Sequence, residues 1–338
     1  MIFSVVIAVR NEVKHIEKCI SSVFNQDYEG EYDLTVVDGM STDGTYELLK
    51  KLQNEYKFKL LKNPKINAAA GRNIGIENSD GEYIAFIDGD AIASNDWLSQ
   101  IEKVFEKNDV TGVGGPDMLP EDSSDKARRI GHIMTSPLAR GGRLNPSTQH
   151  SLSDEEKFVD HIPTCNLCLK REIFSKVGMF DEDFVKGQDL ELNYRITNAG
   201  YKLLYSPKIK VVHHRKNHIR DFTRQIFKWA KAKVAIIKKH GFHGLASHVY
   251  LWPVYFLVGF FIFFVFFFLL NILNIFALLF LIAIILYAFI IIFESGQLSR
   301  KYKDKKLFLY SVFLIPIVHL SYFYGVLVAS LRTKNKIW

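Results

Sequence analysis

Residues 83–90 read Tyr83-Ile84-Ala85-Phe86-Ile87-Asp88-Gly89-Asp90, an apolar run that ends abruptly on two acids. The turn pair Asp80-Gly81 precedes it, and its β-branched and aromatic content predicts a strand buried on both faces. Such a strand delivers Asp88 and Asp90 to the mouth of a sheet, where open α/β sheets bind ligands. Two carboxylates one residue apart call for a partner that compensates their charge. Hard oxygen ligands suit Mg2+ or Mn2+ bridged to phosphates. An ordinary Asp-Gly turn is the competing reading of these residues, and the rest of the chain decides between them.

Upstream, residues 3–9 (FSVVIAV) predict a buried first strand, closed by Arg10-Asn11-Glu12. A helix is expected over 13–24, where Ile16, Cys19, Ile20 and Val23 fall at helical spacing. Residues 34–37 predict the second strand, which ends in Asp38-Gly39-Met40-Ser41-Thr42-Asp43-Gly44-Thr45. The Ser, Thr and Asp of that run supply N-caps for a helix over 46–55. A short third strand over 58–61 follows, and 67–73 (NAAAGRN) opens a helix carrying Arg72. Helices alternating with apolar strands imply an α/β fold with a parallel, right-handed sheet. No G-x-G-x-x-G follows the first strand and no G-x-x-x-x-G-K occurs, which excludes dinucleotide and P-loop chemistry.

The chain has 338 residues, and its two ends differ in composition. Residues 249–270 hold no charged side chain, 275–293 hold none, and 307–331 carry only tyrosines and His319 as ionisable groups. Each run is long enough as a helix to span about 30 Å of hydrocarbon. The Phe-rich first run lacks the polar stripe of a soluble core helix. Residues 1–10 are too short an apolar stretch for a secretory leader, so the globular part is expected in the cytoplasm. Cys19 stands alone and Cys165/Cys168 form a single C-x-x-C, which reads as structural thiols, since a structural zinc takes four ligands.

The net charge of +7 is concentrated. Residues 206–240 carry eleven Lys and Arg against the single acid Asp221 and lead directly into the first apolar run. Attraction to anionic headgroups explains this block without invoking nucleic acid. Between the second and third runs lie Arg300, Lys301, Lys303, Lys305 and Lys306, on the inner side if the globular part is inside. Arg332, Lys334 and Lys336 would then fall outside, against the same rule, and Pro316 with His319 suggests a kinked or re-entrant third span.

VVIAVRNE, VVDGMSTDGT, Arg72-Asn73 and IDGD resemble the nucleotide-binding half of family 2 glycosyltransferases. Cys165-Asn166, Lys170-Arg171, Val177-Gly178-Met179-Phe180-Asp181 and the run Gly187-Gln188-Asp189-Leu190-Glu191-Leu192 are similar to the acceptor half of that family. The likeness covers residues 3–240. Its closest flavour is that of membrane-bound glucosyltransferases of succinoglycan-type exopolysaccharide assembly, to which Val211-Val212-His213 and 224–229 also look similar.

The resemblance implies a GT-A fold, Rossmann-like with a mostly parallel sheet, over 1–205. A basic interfacial segment over 206–248 would complete the active site. A multi-pass membrane domain over 249–338, with transmembrane helices at 249–270, 275–293 and 307–331, would follow. It implies Asp189 as the catalytic base, taking the proton of an acceptor hydroxyl, and an inverting displacement. Gln188 stands where the family has Glu, which removes a charge. Asp90 would hold the divalent cation, Mg2+ or Mn2+, with His213 or its neighbour His214 as a further ligand. The cation would stabilise the charge that builds on the departing nucleoside diphosphate. Asp88 and Gly89 would lie near the ribose, Asp38 would accept from an imide N–H of the base, and Val9, Asn11 and Glu12 would line the pocket. Arg72 would face ribose or phosphate. Gln225-x-x-Lys228-Trp229 resembles the Q-x-x-R-W of polysaccharide synthases with Lys for Arg. There a cation and an indole would hold diphosphate and acceptor sugar, and an amphipathic basic helix lying on the membrane is the alternative. Residues 117–160, polar with little periodicity, read as a loop over the acceptor cleft.

The resulting expectation is a transferase moving a sugar from a nucleotide donor, UDP-linked, to a lipid-linked saccharide at the cytoplasmic membrane face. A polyprenyl-phosphate sugar synthase, a processive polysaccharide synthase and a catalytically dead membrane adaptor are the rivals.

Overall fold

The first strand is apolar on both sides because both sides are covered. In the computed structural model, which describes residues 1–139, 154–213, 218–241, 255, 258–262, 264–265 and 273–332, the elements follow in order. They are β1 (Phe3–Val9), α1 (Ile16–Phe24), β2 (Tyr32–Asp38), α2 (Thr45–Leu52), β3 (Lys59–Lys62), α3 (Ala68–Glu77), β4 (Tyr83–Phe86), β5 (Ala91–Ala93) and α4 (Trp97–Lys107). Next come β6 (Gly112–Gly114), β7 (Asp117–Met118), α5 (Asp125–Met134), β8 (Lys157–Val159), β9 (Leu167–Lys170), α6 (Ile173–Val177) and α7 (Gln188–Asn198). The chain continues through β10 (Leu203–Tyr205), β11 (Val211–His213), α8 (Ile219–His240), α9 (Leu273–Lys301) and α10 (Lys305–Leu331).

An eight-stranded sheet has the order β3-β2-β1-β4-β9-β6-β10-β8, and a small sheet has the order β5-β11-β7. β3, β2, β1 and β4 run parallel, as the alternation of strands and helices requires. β9 runs antiparallel between β4 and β6. Along β1, Phe3, Val5, Ile7 and Val9 join one core with α1, α2 and α4, while Val6 joins the opposite core with α3, α6 and α7. That period-2 split is the physical content of an unbroken apolar strand.

The predicted fourth strand stops one residue short. β4 ends at Phe86, and Asp88-Gly89-Asp90 turns the chain from the large sheet into β5 of the small one, closed by Ala91 N–H donating to Asp88 O at 2.9 Å. The two acids therefore sit where the sheets diverge.

Arg171 fixes the far end of this ladder. Its guanidinium donates to the carbonyls of Gly81 (2.5 Å), Ile76 (3.0 Å) and Ser79 (2.7 Å), and to Ser79 Oγ (2.9 Å). It thus satisfies carbonyls at the α3 C-terminus and the turn into β4. Arg171→Met strands those oxygens and is expected to cost about 2–3 kcal/mol. A melting temperature equal to that of wild type would contradict this.

Two compact units divide the chain, 1–123 with 145–215, and 124–144 with 216–338. β11, which lies beyond residue 205, belongs with the first unit through its small sheet. Residues 117–160 are not one loop. Ser124 Oγ caps α5 by accepting from Ala127 N–H at 3.2 Å, and α5 belongs to the second unit.

Within that second unit Ile130, Ile133 and Met134 of α5 share a core with Phe222 and Ile226 of α8, Ile291 and Leu298 of α9, and Leu307, Leu314, Ile315 and Val318 of α10. Arg129 Nε donates to Asp304 Oδ2 at 2.6 Å, and the His132 and Tyr302 rings stack at 3.7 Å. Lys238 Nζ donates to the carbonyls of Ala329, Ser330 and Arg332 and so caps the α10 C-terminus.

α9 and α10 contain two stretches, Leu281–Lys301 and Lys305–Leu331, long and apolar enough to cross a membrane. Large apolar side chains on them stand exposed, among them Phe289, Phe293, Leu309 and Phe313. α10 passes through Pro316 as one helix rather than as a re-entrant segment, and the connection expected over 294–306 is mostly helix, with only 302–304 outside it. The first expected span, 249–270, lies for the most part outside the described residues.

Candidate active site

Asp90 and His213 face each other because β5 and β11 pair antiparallel with Ala91 opposite His213. His213 Nε2 lies 3.1 Å from Asp90 Oδ1, and ligand atoms of Asp88, Asp90 and His213 all fall within 4.8 Å of one another. His214 lies outside the described residues. Gly89 sits between the two acids, tight against β1: a Cβ there would come 2.8 Å from Val9 Cγ2.

The electrostatics of this cluster are those of anions in need of a cation. Burial, together with the charges of Asp90, Asp43 and Asp88, pushes the Glu12 carboxyl up to about 7. For Asp90 burial opposes ionisation, but the His213 contact outweighs it and holds the carboxyl below its usual range. For His213 burial favours the neutral ring, and hydrogen bonds to Asp117 and Asp90 reverse that and raise it well above the ordinary histidine value. Two hard carboxylates and an imidazole gathered this closely fit a Mg2+ or Mn2+ ion.

Asp38 ends β2 with its side chain buried. Its Oδ2 accepts from Ser41 N–H at 3.1 Å, while its Oδ1 is buried with no hydrogen-bond partner. A buried carboxylate oxygen left unpaired is costly unless a ligand donor meets it. Asn11 adopts a left-handed backbone (φ 58°) and closes the neighbouring loop. Its N–H donates to Ser41 Oγ at 2.9 Å and its Oδ1 accepts from Thr42 N–H at 2.9 Å. Glu12 N–H donates to Thr45 Oγ1 at 2.9 Å. The β1 and β2 loops are thereby zipped together beside Asp38.

Arg72 was expected to face ribose or phosphate. It donates to Asp88 Oδ1 at 3.1 Å and to Gln188 Oε1 at 2.9 Å, which makes it an internal clamp as well. This one guanidinium links the Asp-Gly-Asp turn to the start of α7. Gln188 explains its own departure from Glu: its Nε2 donates to Phe184 O (2.7 Å) and Asn67 Oδ1 (3.0 Å). A glutamate would set a carboxylate against both acceptors. Gln188→Glu is therefore expected to lower turnover several-fold through a displaced Arg72, the scale of one lost buried hydrogen bond. Wild-type kinetics in that variant would contradict it.

Gly187, with φ 75°, swings the chain so that Asp189 falls in the first turn of α7, where the helix N-terminus favours an anion. Asp189 Oδ1 accepts from Leu190 N–H at 2.8 Å, and Oδ2 lies 3.4 Å from His161 Nε2. Burial would raise this carboxyl, but the neighbouring His161 and the Arg72 charge outweigh it and hold it down at about 2. Asn193 pins the His161 segment to α7, its Oδ1 accepting from Ile162 N–H and its Nδ2 donating to Ile162 O.

Sequence reasoning missed His161, just past β8, and Asp117 on β7, which touch the site through tertiary contacts with no local motif. Asp117 Oδ2 lies 3.4 Å from His213 Nδ1, and Asp117, Cys165 and His213 form a second close group. All three cysteines are free and buried, and burial pushes the Cys165 thiol up to about 12. Gln225, Lys228 and Trp229 lie on α8 in the second unit, Lys228 exposed and Trp229 packed against the unit's apolar core.

Among curated proteins the chain is 28% identical over 264 residues to the Methanococcus voltae enzyme named dolichyl N-acetyl-alpha-D-glucosaminyl phosphate 3-beta-D-2,3-diacetamido-2,3-dideoxy-beta-D-glucuronosyltransferase, covering 75% of this chain and 78% of that one. It is 26% identical over 241 residues to the succinoglycan biosynthesis protein ExoA of Rhizobium meliloti, covering 70% of each. Among solved structures, the mannosyltransferase PcManGT of Pyrobaculum calidifontis, in complex with GDP-Man and Mn2+, superposes with a TM-score of 0.59 at 17% identity. That match covers 96% of this chain and 86% of the other, and it supports the GT-A fold. The family model described as glycosyl transferase family 2 matches residues 4–178, slightly more than half of the sequence. With this match laid over a GT-A sheet, the chain belongs to glycosyl transferase family 2.

Proposed function

We propose that this glycosyltransferase moves a sugar from a nucleotide donor, UDP-linked, to a lipid-linked saccharide at the cytoplasmic membrane face, inverting the anomeric centre in a metal-dependent reaction. The observation that carries the proposal is the convergence of Asp88, Asp90 and His213 where the large sheet gives way to the small one, ligand atoms within 4.8 Å. A Mg2+ or Mn2+ ion held there would offset the charge that develops on the leaving diphosphate.

The chain's own residues supply the rest. Asp38 offers its unpaired oxygen to a base N–H, beside the pocket walls of Val9, Asn11 and Glu12. Gly89 leaves room for close approach between Asp88 and Asp90. Arg72 keeps Asp88 and the α7 N-terminus in register. Asp189 orients the acceptor hydroxyl and takes its proton. A carboxylate held near 2 is a weak base toward a free alcohol. It receives the proton late, once bonding to the anomeric carbon has made that hydroxyl acidic.

Support for the acceptor class comes from the dolichyl-linked compound in the name of the Methanococcus relative and from the two helices long and apolar enough to cross a membrane. Membranes of the expressed protein, given a panel of radiolabelled nucleotide sugars, are expected to extend a lipid-linked saccharide. Label appearing on a lipid phosphate identifies the synthase instead, a long polymer identifies a processive enzyme, and no label with any donor defeats the reading.

A further inference from the structure

His213 lies between two carboxylates of different character. Its Nε2 is 3.1 Å from Asp90, whose side chain is 27% exposed and shares a cluster with Asp88. Its Nδ1 is 3.4 Å from Asp117, whose side chain is 3% exposed. An imidazole that donates a lone pair to a cation through Nε2 must carry its proton on Nδ1. Which ring nitrogen keeps the proton is set by the partner of the other. Asp117 Oδ2 is an acceptor placed on the Nδ1 side.

The fold builds that placement in. β7 and β11 run parallel with Val211 opposite Asp117, and Val211 N–H donates to Pro116 O at 3.2 Å. Asn166, fully buried, donates from Nδ2 to Pro116 O (3.2 Å) and to Ile209 O (2.8 Å), gripping the chain ahead of β7 and ahead of β11. Trp97 Nε1 donates to Asn166 Oδ1 at 2.9 Å and fixes the amide's orientation. Asp117 and His213 are therefore presented by one internally braced pair of strands. The Cys165 thiol lies in the same group and brings a weak donor rather than a second strong acceptor.

We propose that Asp117 is a positioning residue that accepts the Nδ1 proton of His213, and so fixes the tautomer whose Nε2 lone pair faces Asp88 and Asp90. This rests on the reading of Asp88, Asp90 and His213 as the cation's holders. Acidic partners behind ligating histidines tune metal affinity without touching the metal, typically by about 10–100-fold.

The test measures Mn2+ alone, by the electron paramagnetic resonance signal of the free ion, against the full chain in detergent. Wild type is compared with Asp117→Asn, Asp117→Ala, His213→Ala, Asp90→Ala and the Asp117→Ala/His213→Ala double variant. Both Asp117 variants are expected to bind Mn2+ about 10–100-fold more weakly. The double variant is expected to be no weaker than His213→Ala, because Asp117 acts only through that ring. Asp117→Asn is nearly isosteric and carries the test if the alanine variant melts early. Affinity within twofold of wild type in Asp117→Asn, or additive losses in the double variant, would overturn the inference while Asp90→Ala still lost the ion. Wild type and Asp90→Ala binding Mn2+ alike would remove the cation reading itself, and this inference with it.

Discussion

Replacing Asp189 with asparagine is expected to cut turnover by about 10² or more while leaving donor affinity within about twofold, the scale of a lost general base. Asparagine keeps the shape and the oxygen that accepts from Leu190 N–H, so α7 retains its first turn. What disappears is the anion beside His161, and with it the acceptor for the hydroxyl proton. The donor residues proposed on β1, β2 and the Asp-Gly-Asp turn are untouched, which is why turnover and donor binding separate. The paired measurement is single-turnover transfer of labelled sugar and calorimetric binding of the nucleotide donor. Unchanged turnover would remove Asp189 from its role. A matching collapse of donor binding would show that the substitution disturbed the Arg72–Gln188 clamp instead.

Asp90→Ala is the second large effect. Enzyme stripped with a chelator is expected to lose activity and to recover it with added Mn2+ in wild type, but not in Asp90→Ala. A contribution of several kcal/mol to charge stabilisation corresponds to about 10³-fold in rate. The substitution leaves His213 facing Asp88 without the carboxylate 3.1 Å from its Nε2, and removes the largest named charge acting on Glu12. Transfer that is indifferent to chelation would defeat the metal proposal while leaving the fold and family as they stand.

The periodic parts of the chain were legible without coordinates. β1 runs over the same seven residues that FSVVIAV marks, and α3 begins one residue after Asn67, whose side chain accepts from Ala69 N–H as a cap should. Both follow from local rules: an unbroken apolar run, and an Asx residue ahead of an alanine run. α5 was missed although its buried residues recur at helical spacing, because a single ten-residue helix inside a long polar stretch is a short signal. Its buried face is only Ala127, Ile130, Gly131, Ile133 and Met134. A guanidinium near a site reads as a phosphate binder, and only the fold shows that Arg72 also links Asp88 to Gln188.

By itself the sequence determined the alternation of strands and helices, the placing of Asp38, Asp88 and Asp90 at strand ends, and the family. Those features depend on neighbours a few residues apart, where hydrophobic period and turn chemistry act. Tertiary structure alone decided that His213 meets Asp90 across 123 positions, that His161 leans on Asp189, and that Asp117 stands behind the imidazole. The His213 contacts are set by which strands share an edge, and the His161 contact by α7 gripping the Ile162 backbone through Asn193; both depend on how the whole core packs rather than on any stretch of chain.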